Sequence, residues 1–425
     1  DDEGRVPIPS NRPRVVVVGA GFGGLSVVRG LSGAAADVLV VDRHNYHTFQ
    51  PLLYQVATAG LEPEDIAHPI RRNLRGFRNV SFRLATVAGV DLANKRLQTD
   101  VGPITYDFLV LAAGSQTNYF GVSLAEKAFG LKDLSEAIDL RNHLLVCYER
   151  ALDETDPARR QALLTFVIAG GGPTGVELAG ALAELTRVVL ARDYPEVDVN
   201  DTRVILVEGL TTLITTFDPK LQAVAIRELG KKGVKVKLGA QIKSYDGRTI
   251  HLSDGSVIQS RTLVWAAGVR AADLGSTLGM TLTRGGRVPV EATLQVIGHP
   301  DVYVVGDLAG FDALGQQLPM VAPVAIQQGA HVANNLRRQL AGRPLLNFAY
   351  RDRGSMATIG RNEAVAQIGR FRFTGFPAWI VWLTLHLVQI ISVRNRILIL
   401  VNWIWDYLFF DRAVRLITRD RPTSL

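Results

Sequence analysis

The sequence predicts an α/β protein: two Rossmann-like domains followed by a C-terminal, membrane-associated helical region. Three observations predict it. Two glycine-rich loops, each after an apolar run, occupy Val15–Gly24 and Phe166–Gly175, with their first glycines 151 residues apart. Each is followed by an apolar run ending in an acid, Val38–Asp42 and Val204–Glu208, and later by one ending Ala-Ala-Gly, Leu109–Gly114 and Leu263–Gly268. Landmarks that recur in one order at near-equal spacing mark an internal repeat. The third observation is the tryptophan-rich, charge-poor stretch after Phe376.

Composition agrees. The chain has 425 residues, 47% of them hydrophobic and 20% charged. That suffices for two or three cores and excludes disorder as the dominant state. The formal net charge is +7, and from Arg351 onward eleven arginines face five acids. Cys147 is the single cysteine. It excludes an intramolecular disulfide framework or CxxC pair and fits a reducing compartment.

Along the chain, Asp1–Pro13 is polar and has no apolar core of a signal peptide, so residues 1–13 read as a disordered tail. Short apolar runs then alternate with helical stretches, which predicts parallel sheets. The expected helices include Gly23–Leu31, Leu134–Leu152, Gly175–Arg192 and Ala322–Leu340. Asp193–Asp201 is rich in Pro, Asp and Asn and reads as a loop. Asp301–Asp307 is a further buried strand, ending Gly-Asp, and the composition changes near Leu346. The domains expected are 14–160 with 290–345, 161–289, and 346–425.

A dinucleotide needs a tight turn, close backbone approach to its pyrophosphate and a helix N-terminus aimed at it. Gly19, Gly21 and Gly24 meet that need in the first repeat, and Gly170, Gly172 and Gly175 in the second. Asp42 and Glu208 stand where a carboxylate accepts from a ribose diol. The alternative is a tight strand-to-helix turn with no ligand. A carboxylate at 208 repels a 2′-phosphate, and no basic residue follows before Lys220, so NADH is favoured over NADPH. Two such sites suggest a relay between a resident flavin and a transient nicotinamide.

With these motifs the chain resembles the two-dinucleotide-binding flavoprotein reductases, and among them type II NADH dehydrogenase, over about residues 14–420. The matching motifs are the two glycine loops, His44–Tyr54, Gly172–Glu177, Trp265–Arg270, Val305–Asp307 and Ala325–Gly329. The resemblance implies FAD on the first repeat, against Gly19, Gly21, Gly23, Gly24, Asp42, Arg43, Val87, Ala113, Gly114, Asp307 and Ala325. It implies NADH on the second, against Gly170, Gly172, Gly175, Glu208 and Gly268. The implied reaction is hydride transfer from NADH to FAD, then two-electron reduction of a membrane quinone in a respiratory chain, without proton pumping.

Related disulfide and sulfide:quinone reductases use paired cysteines, which this chain lacks, so electrons leave the flavin directly. Cys147, in an apolar helix, reads as a small buried hydrophobe. The family places Glu177 and Gln327 beside the transfer site. The plainer readings are a carboxylate serving a helix dipole for Glu177 and a helix-end capping residue for Gln327. Pro323 stands where the family usually has a second glutamine. Hydride transfer needs alignment more than an acid or base. The eight histidines are scattered, and His44 and His47 lack a third ligand, so no metal is expected.

Phe376–Val393 carries no formal charge, Ile397–Phe410 is mostly apolar, and four of five tryptophans fall in this tail. Tryptophan favours the bilayer interface, and arginine anionic headgroups. His386, Gln389 and Ser392, then Asn395, Asn402 and Asp406, form polar stripes. Stripes predict helices, at about 376–417, that lie in the interface rather than span it. The other reading is a hairpin buried in a homodimer, and the two can coexist. Arg71, Arg72, Arg75 and Arg78 read as a solvated face. No nucleic-acid motif accompanies the basicity. The expected location is the cytoplasmic face of the cell membrane, held peripherally. The alternatives are a soluble NADH-dependent reductase of an iron–sulfur protein and an NADH-sensing regulatory flavoprotein.

Overall fold

Val15, Val16 and Val17 are completely buried, as in a parallel strand covered on both faces. Their strand, Arg14–Val18, pairs in parallel with Asp37–Asp42 and Phe108–Leu111, Val15 lying opposite both Val38 and Phe108. The sheet has six strands in the order Gln295–Val296, His299–Val304, Phe108–Leu111, Arg14–Val18, Asp37–Asp42, Val80–Leu84. The outermost pair, Gln295–Val296 with His299–Val304, is antiparallel.

The second repeat builds a second sheet. Thr165–Ala169 is buried throughout and lies between Arg203–Glu208 and Thr262–Trp265, all parallel. Val234–Leu238 completes it. The acid-ending strand, the glycine-loop strand and the Ala-Ala-Gly strand follow the same order in both sheets. The repeat of sequence is a repeat of topology.

This computed structural model describes residues 11–122, 124, 127–313, 315–390, 393–409, 412 and 414–418. Residues 1–10 of the expected tail, and Ser392 of the expected stripe, lie outside them. The chain divides into two units. The first takes in the chain up to His47, His68–Gln116 and Val269–Asp352; the second takes in Thr48–Ala67, Thr117–Gly268 and the chain from Arg353.

These bounds differ from the sequence-based domains in several places, each for a packing reason. Thr48–Ala67 joins the second unit, where the Glu64 and Asp65 carbonyls accept from Asn395, and residues 346–352 join the first, where the Phe348 N–H donates to the Ala292 carbonyl at 2.7 Å. Helix Leu134–Asp153 joins the second unit because Tyr148 stacks on Phe166 and His143 hydrogen-bonds the Thr262 hydroxyl at 2.9 Å. Residues 269–289 join the first because Ala271, Leu278 and Val288 enter its core. The C-terminal segment joins the second because Gly180 meets Gly360 backbone to backbone; a Cβ at 180 would lie 2.7 Å from the Gly360 nitrogen.

Helix Ala322–Leu340 has the expected bounds. The expected helix 175–192 is present, α-helical over Pro173–Glu184 and Ala191–Asp193 with a π-helical turn over Leu185–Leu190 between them. Before the tail helices stands a three-stranded antiparallel sheet, Ser355–Thr358, Ala364–Ile368 and Phe371–Thr374, not anticipated from sequence.

The tail forms helices Gly375–Gln389 and Val393–Phe409. Its second polar stripe faces protein rather than water. Asn395 Nδ2 donates to the carbonyls of Glu64 and Asp65 at 2.7 and 2.9 Å, and Asn402 to the Asp65 carboxylate at 3.1 Å. Trp382 is a core residue, 1% exposed. The outer face is apolar: Val388, Ile397 and Leu408 are each more than half exposed. No helix among the described residues is long and apolar enough to cross a membrane.

Candidate active site

Both glycine loops hold their shape for the same reasons. Gly19 and Gly170 have φ near +100°, a region L side chains avoid. A Cβ at Gly24 would lie 1.8 Å from the Gly19 carbonyl oxygen, and one at Gly175 1.9 Å from that of Gly170. The middle glycines differ. Gly21 and Gly172 have extended backbones that any residue adopts, and a Cβ there would meet no protein atom within 4 Å. Packing therefore does not require glycine at either place. Each is the N-cap of its helix, and neither helix has a side-chain cap. Open space before an uncapped helix N-terminus fits a pyrophosphate, whose oxygens take the N–H groups the helix leaves unpaired.

The acids are equivalent too. Asp42 accepts from Ala20 N–H at 2.6 Å and His44 N–H at 2.8 Å. Glu208 accepts from Gly171 N–H at 2.5 Å and Leu210 N–H at 2.8 Å. One carboxylate thus clamps the glycine loop and the turn after its own strand. The remaining lone pairs are available to a diol.

In the first unit, Gly23 and Ala325 serve close packing. A Cβ on Gly23 would meet Val305 Cγ2 at 3.0 Å and the Ala325 carbonyl oxygen at 3.5 Å. The helices Phe22–Leu31 and Ala322–Leu340 meet so closely that a Cβ on Gly30 would lie 2.4 Å from that of Ala333. This contact brings the loop, the Val305–Asp307 turn and Ala325 together. Asp307 accepts a short hydrogen bond from the Ser115 hydroxyl. That serine directly follows Ala113 and Gly114, which are half-buried. Arg43 is exposed, and Val87 pairs with Thr99 at the edge of a small sheet.

Gln327 uses its amide on the chain: Nε2 donates to the Arg351 carbonyl at 2.9 Å and Oε1 accepts from the Arg351 N–H at 3.1 Å. Pro323 lies in the first turn of the same helix, where no intrahelical N–H bond is lost.

Two residues escaped the sequence reading. Gln328 is 1% exposed and its Oε1 accepts from the Gly306 N–H at 2.7 Å, fixing the turn that carries Asp307. His47 lies 2.9 Å by Nδ1 from the Ala20 carbonyl and is edge-on to Phe22. Burial lowers its pKa to about 4. It is therefore neutral, and its Nδ1–H donates to the loop. The signal for both was their place inside quoted motifs, but no periodicity singles them out.

In the second unit, Glu177 stands one turn into the helix Pro173–Glu184. Its carboxyl accepts from the Thr358 N–H at 3.3 Å. Burial raises its pKa to about 8, opposed by that N–H and by the nearby Trp382 indole. A carboxyl protonated at neutral pH can give up a proton, beyond the dipole role of the plainer reading. Tyr54 lies close enough for Glu177 to raise its pKa further, and its hydroxyl contacts the Thr358 hydroxyl at 3.2 Å. Gly268, at φ +151°, closes the Ala-Ala-Gly turn against the Phe120 ring. Glu177 and Gln327 belong to different units.

Cys147 is fully buried, and burial pushes its thiol up to about 12, so it is inert, as a small core residue should be. No metal-binding cluster occurs among the described residues.

Residues 13–329 match the family model for pyridine nucleotide-disulphide oxidoreductases, and residues 353–412 the NDH2 C-terminal domain. The chain is 41% identical over 426 residues to the type II NADH:quinone oxidoreductase Ndh of Mycobacterium tuberculosis, covering 96% of this chain and 91% of the relative. It is 40% identical to NdhA of the same organism, covering 92% and 86%. NDH2 of Plasmodium falciparum, solved in complex with NADH, superposes with a TM-score of 0.87 at 17% identity, covering 96% of this chain and all of that one. That last likeness is one of fold.

Proposed function

This chain belongs to the type II NADH:quinone oxidoreductases, and we propose that its first glycine loop holds FAD and its second NADH. Bound at the first loop, FAD would supply the two-electron exchange between NADH and a quinone. The observation that carries dinucleotide binding at both loops is the pair Gly21 and Gly172, glycines that protein packing does not require, each before an uncapped helix.

The chain's own residues then have these tasks. Asp42 and Glu208 orient the ribose diols while clamping their loops. The Glu208 carboxylate excludes a 2′-phosphate. Gln328 and Ala325 hold the turn so that Asp307 and the backbone at Ala113 and Gly114 line the FAD site. Arg43 and Val87 border its adenosine end. Glu177 carries a proton on its carboxyl near neutral pH and is the group through which quinone reduction draws it. Gln327 fixes the backbone of Arg351 at the end of the first unit, and acts by positioning.

The tail helices lie on the cytoplasmic surface of the cell membrane with their apolar outer faces in the interface. The observation supporting this is the one-sided exposure of Val388, Ile397 and Leu408 on helices too short to span. A homodimer that buries the same face is the competing arrangement.

The test is the visible spectrum of the purified protein. NADH should bleach a bound flavin and a quinone should restore it. A flavin that bleaches but does not recover with any quinone would leave the acceptor wrong.

A further inference from the structure

The second unit contains a cavity of about 510 Å³ whose lining includes Tyr54, Thr358 and Trp382, the neighbours of Glu177. One wall is aromatic, made by the inward faces of the tail helices with Trp379, Trp403 and Tyr407. Basic side chains line the cavity too: Arg187, Lys231 and Arg361, the last with its guanidinium 4.0 Å from the centre of the Tyr407 ring. Of its two acids, Glu184 and Asp406, Glu184 is shared by Lys232 at 2.9 Å and Arg412 at 3.4 Å, and Lys231 pairs with Glu228 at 2.9 Å. The lining keeps a positive excess, five basic residues against two acids.

Arg187 is the clearest sign that the excess has a use. It enters no hydrogen bond or ion pair among the described residues. Its guanidinium rests on Gly233, where a Cβ would lie 2.4 Å from the guanidinium carbon. It projects from the π-helical turn Leu185–Leu190, a local widening of the helix that recurs at functional sites. A cation, an aromatic wall and helices with an exposed apolar face form one amphiphilic site.

We propose that this cavity binds the phosphate headgroup of an anionic phospholipid, its acyl chains leaving along the exposed faces of the tail helices. Arg187 takes the phosphate, and Trp379 and Trp403 take the glycerol and first methylenes. The proposal rests on the membrane reading of the tail given above.

The test uses the full chain in neutral detergent. Melting is followed against short-chain phosphatidylglycerol, short-chain phosphatidylcholine and inorganic phosphate. Phosphatidylglycerol should raise the melting temperature saturably, and phosphatidylcholine and phosphate should do so far less. Arg187→Gln should weaken phosphatidylglycerol about fivefold, the factor equivalent to about 1 kcal/mol per headgroup-paired cation. Arg187→Lys should restore most of it. Equal stabilisation by both lipids, or unchanged affinity in Arg187→Gln, overturns the proposal, and phosphate alone acting as well as the lipid makes this a free-anion site instead. If Arg187→Gln loses its flavin, Arg187→Lys and the lipid comparison on the unmodified chain still decide. NADH-driven reduction of a water-soluble quinone, measured alongside, reports separately on the proposed reaction.

Discussion

The Thr358 backbone N–H points at the Glu177 carboxyl from 3.3 Å, a contact between residues 181 positions apart. It ties the small C-terminal sheet to the helix that follows the second glycine loop. With the Trp382 indole, it opposes the burial that lifts Glu177 to about 8.

Glu177 therefore makes a pH prediction. Its ordinary pKa lies near 4.5, so between about 4.5 and 8 the folded state binds more protons than the unfolded one. Stability contributed by this group falls as pH rises through that window and levels off above it. Glu177→Gln should flatten the slope in denaturant titrations and keep FAD. As loss of a general acid, it should lower quinone-reduction kcat by roughly 10² or more. An unchanged slope and rate would return the residue to the plain dipole role.

The glycines make a contrast. In Gly21→Val the added Cβ meets no protein atom within 4 Å and the backbone is allowed, so the variant should fold and lose FAD. Gly24→Ala would drive a methyl into the Gly19 carbonyl and should unfold. Circular dichroism and flavin content of the two variants separate a ligand glycine from a packing glycine. Full flavin in Gly21→Val would refute the loop assignment.

Glu208→Gln tests nicotinamide choice. Losing one negative charge should narrow the NADH-over-NADPH ratio of kcat/KM roughly tenfold, the equivalent of about 1.4 kcal/mol. An amide also replaces one acceptor by a donor facing the N–H of Gly171 or Leu210. KM for both nucleotides should therefore rise. Equal efficiency with both in the unmodified protein would contradict the carboxylate's role.

Gln328→Leu leaves the buried Gly306 N–H without its acceptor. The expected cost is about 1–3 kcal/mol of stability. Because the turn carries Asp307, flavin should leak from this variant on dilution. Melting curves with and without added FAD check both effects, and a variant as stable and as yellow as the parent would contradict them.

Ile397→Lys, Leu400→Lys and Ile404→Lys together charge the exposed face of the last helix. They should release the protein from vesicles while NADH still bleaches the flavin. Ending the chain near Gly375 would be a poorer test. It would remove Trp382, which the second unit buries, and the Asn395 bonds to Glu64 and Asp65. Co-sedimentation of the triple variant equal to the parent's would place the anchor elsewhere.

Much of this was legible in the sequence because glycine loops, buried strands and strand-ending acids each leave a local mark. Gly19, Asp42, Gly170 and Glu208 stand where their spacing put them. Gln328 was missed because Gln327 beside it carried the motif, and only the helix's rotation decides which amide turns inward. The tail's polar stripe was seen, but its direction was not. A stripe can face water or neighbouring carbonyls, and Asn395 chose the latter. The domain bounds depended on packing between segments distant in sequence, such as Tyr148 on Phe166, which no local pattern encodes.

The interleaving of the first sheet has a consequence for biosynthesis. The strand that leads to Asp307 lies beside Phe108–Leu111, whose other neighbour begins at Arg14. A ribosome must therefore make the whole second sheet before the first can close. Until Val304 emerges, Phe108–Leu111 presents an unpaired edge, and the nascent chain has no means of gripping its flavin. Such late, long-range pairing is slow and exposes strand edges to aggregation. Flavin supplied during synthesis should thus raise yield only after nearly three-quarters of the polypeptide has left the tunnel, and a fragment ending before Asp301 should be rescued by no amount of it.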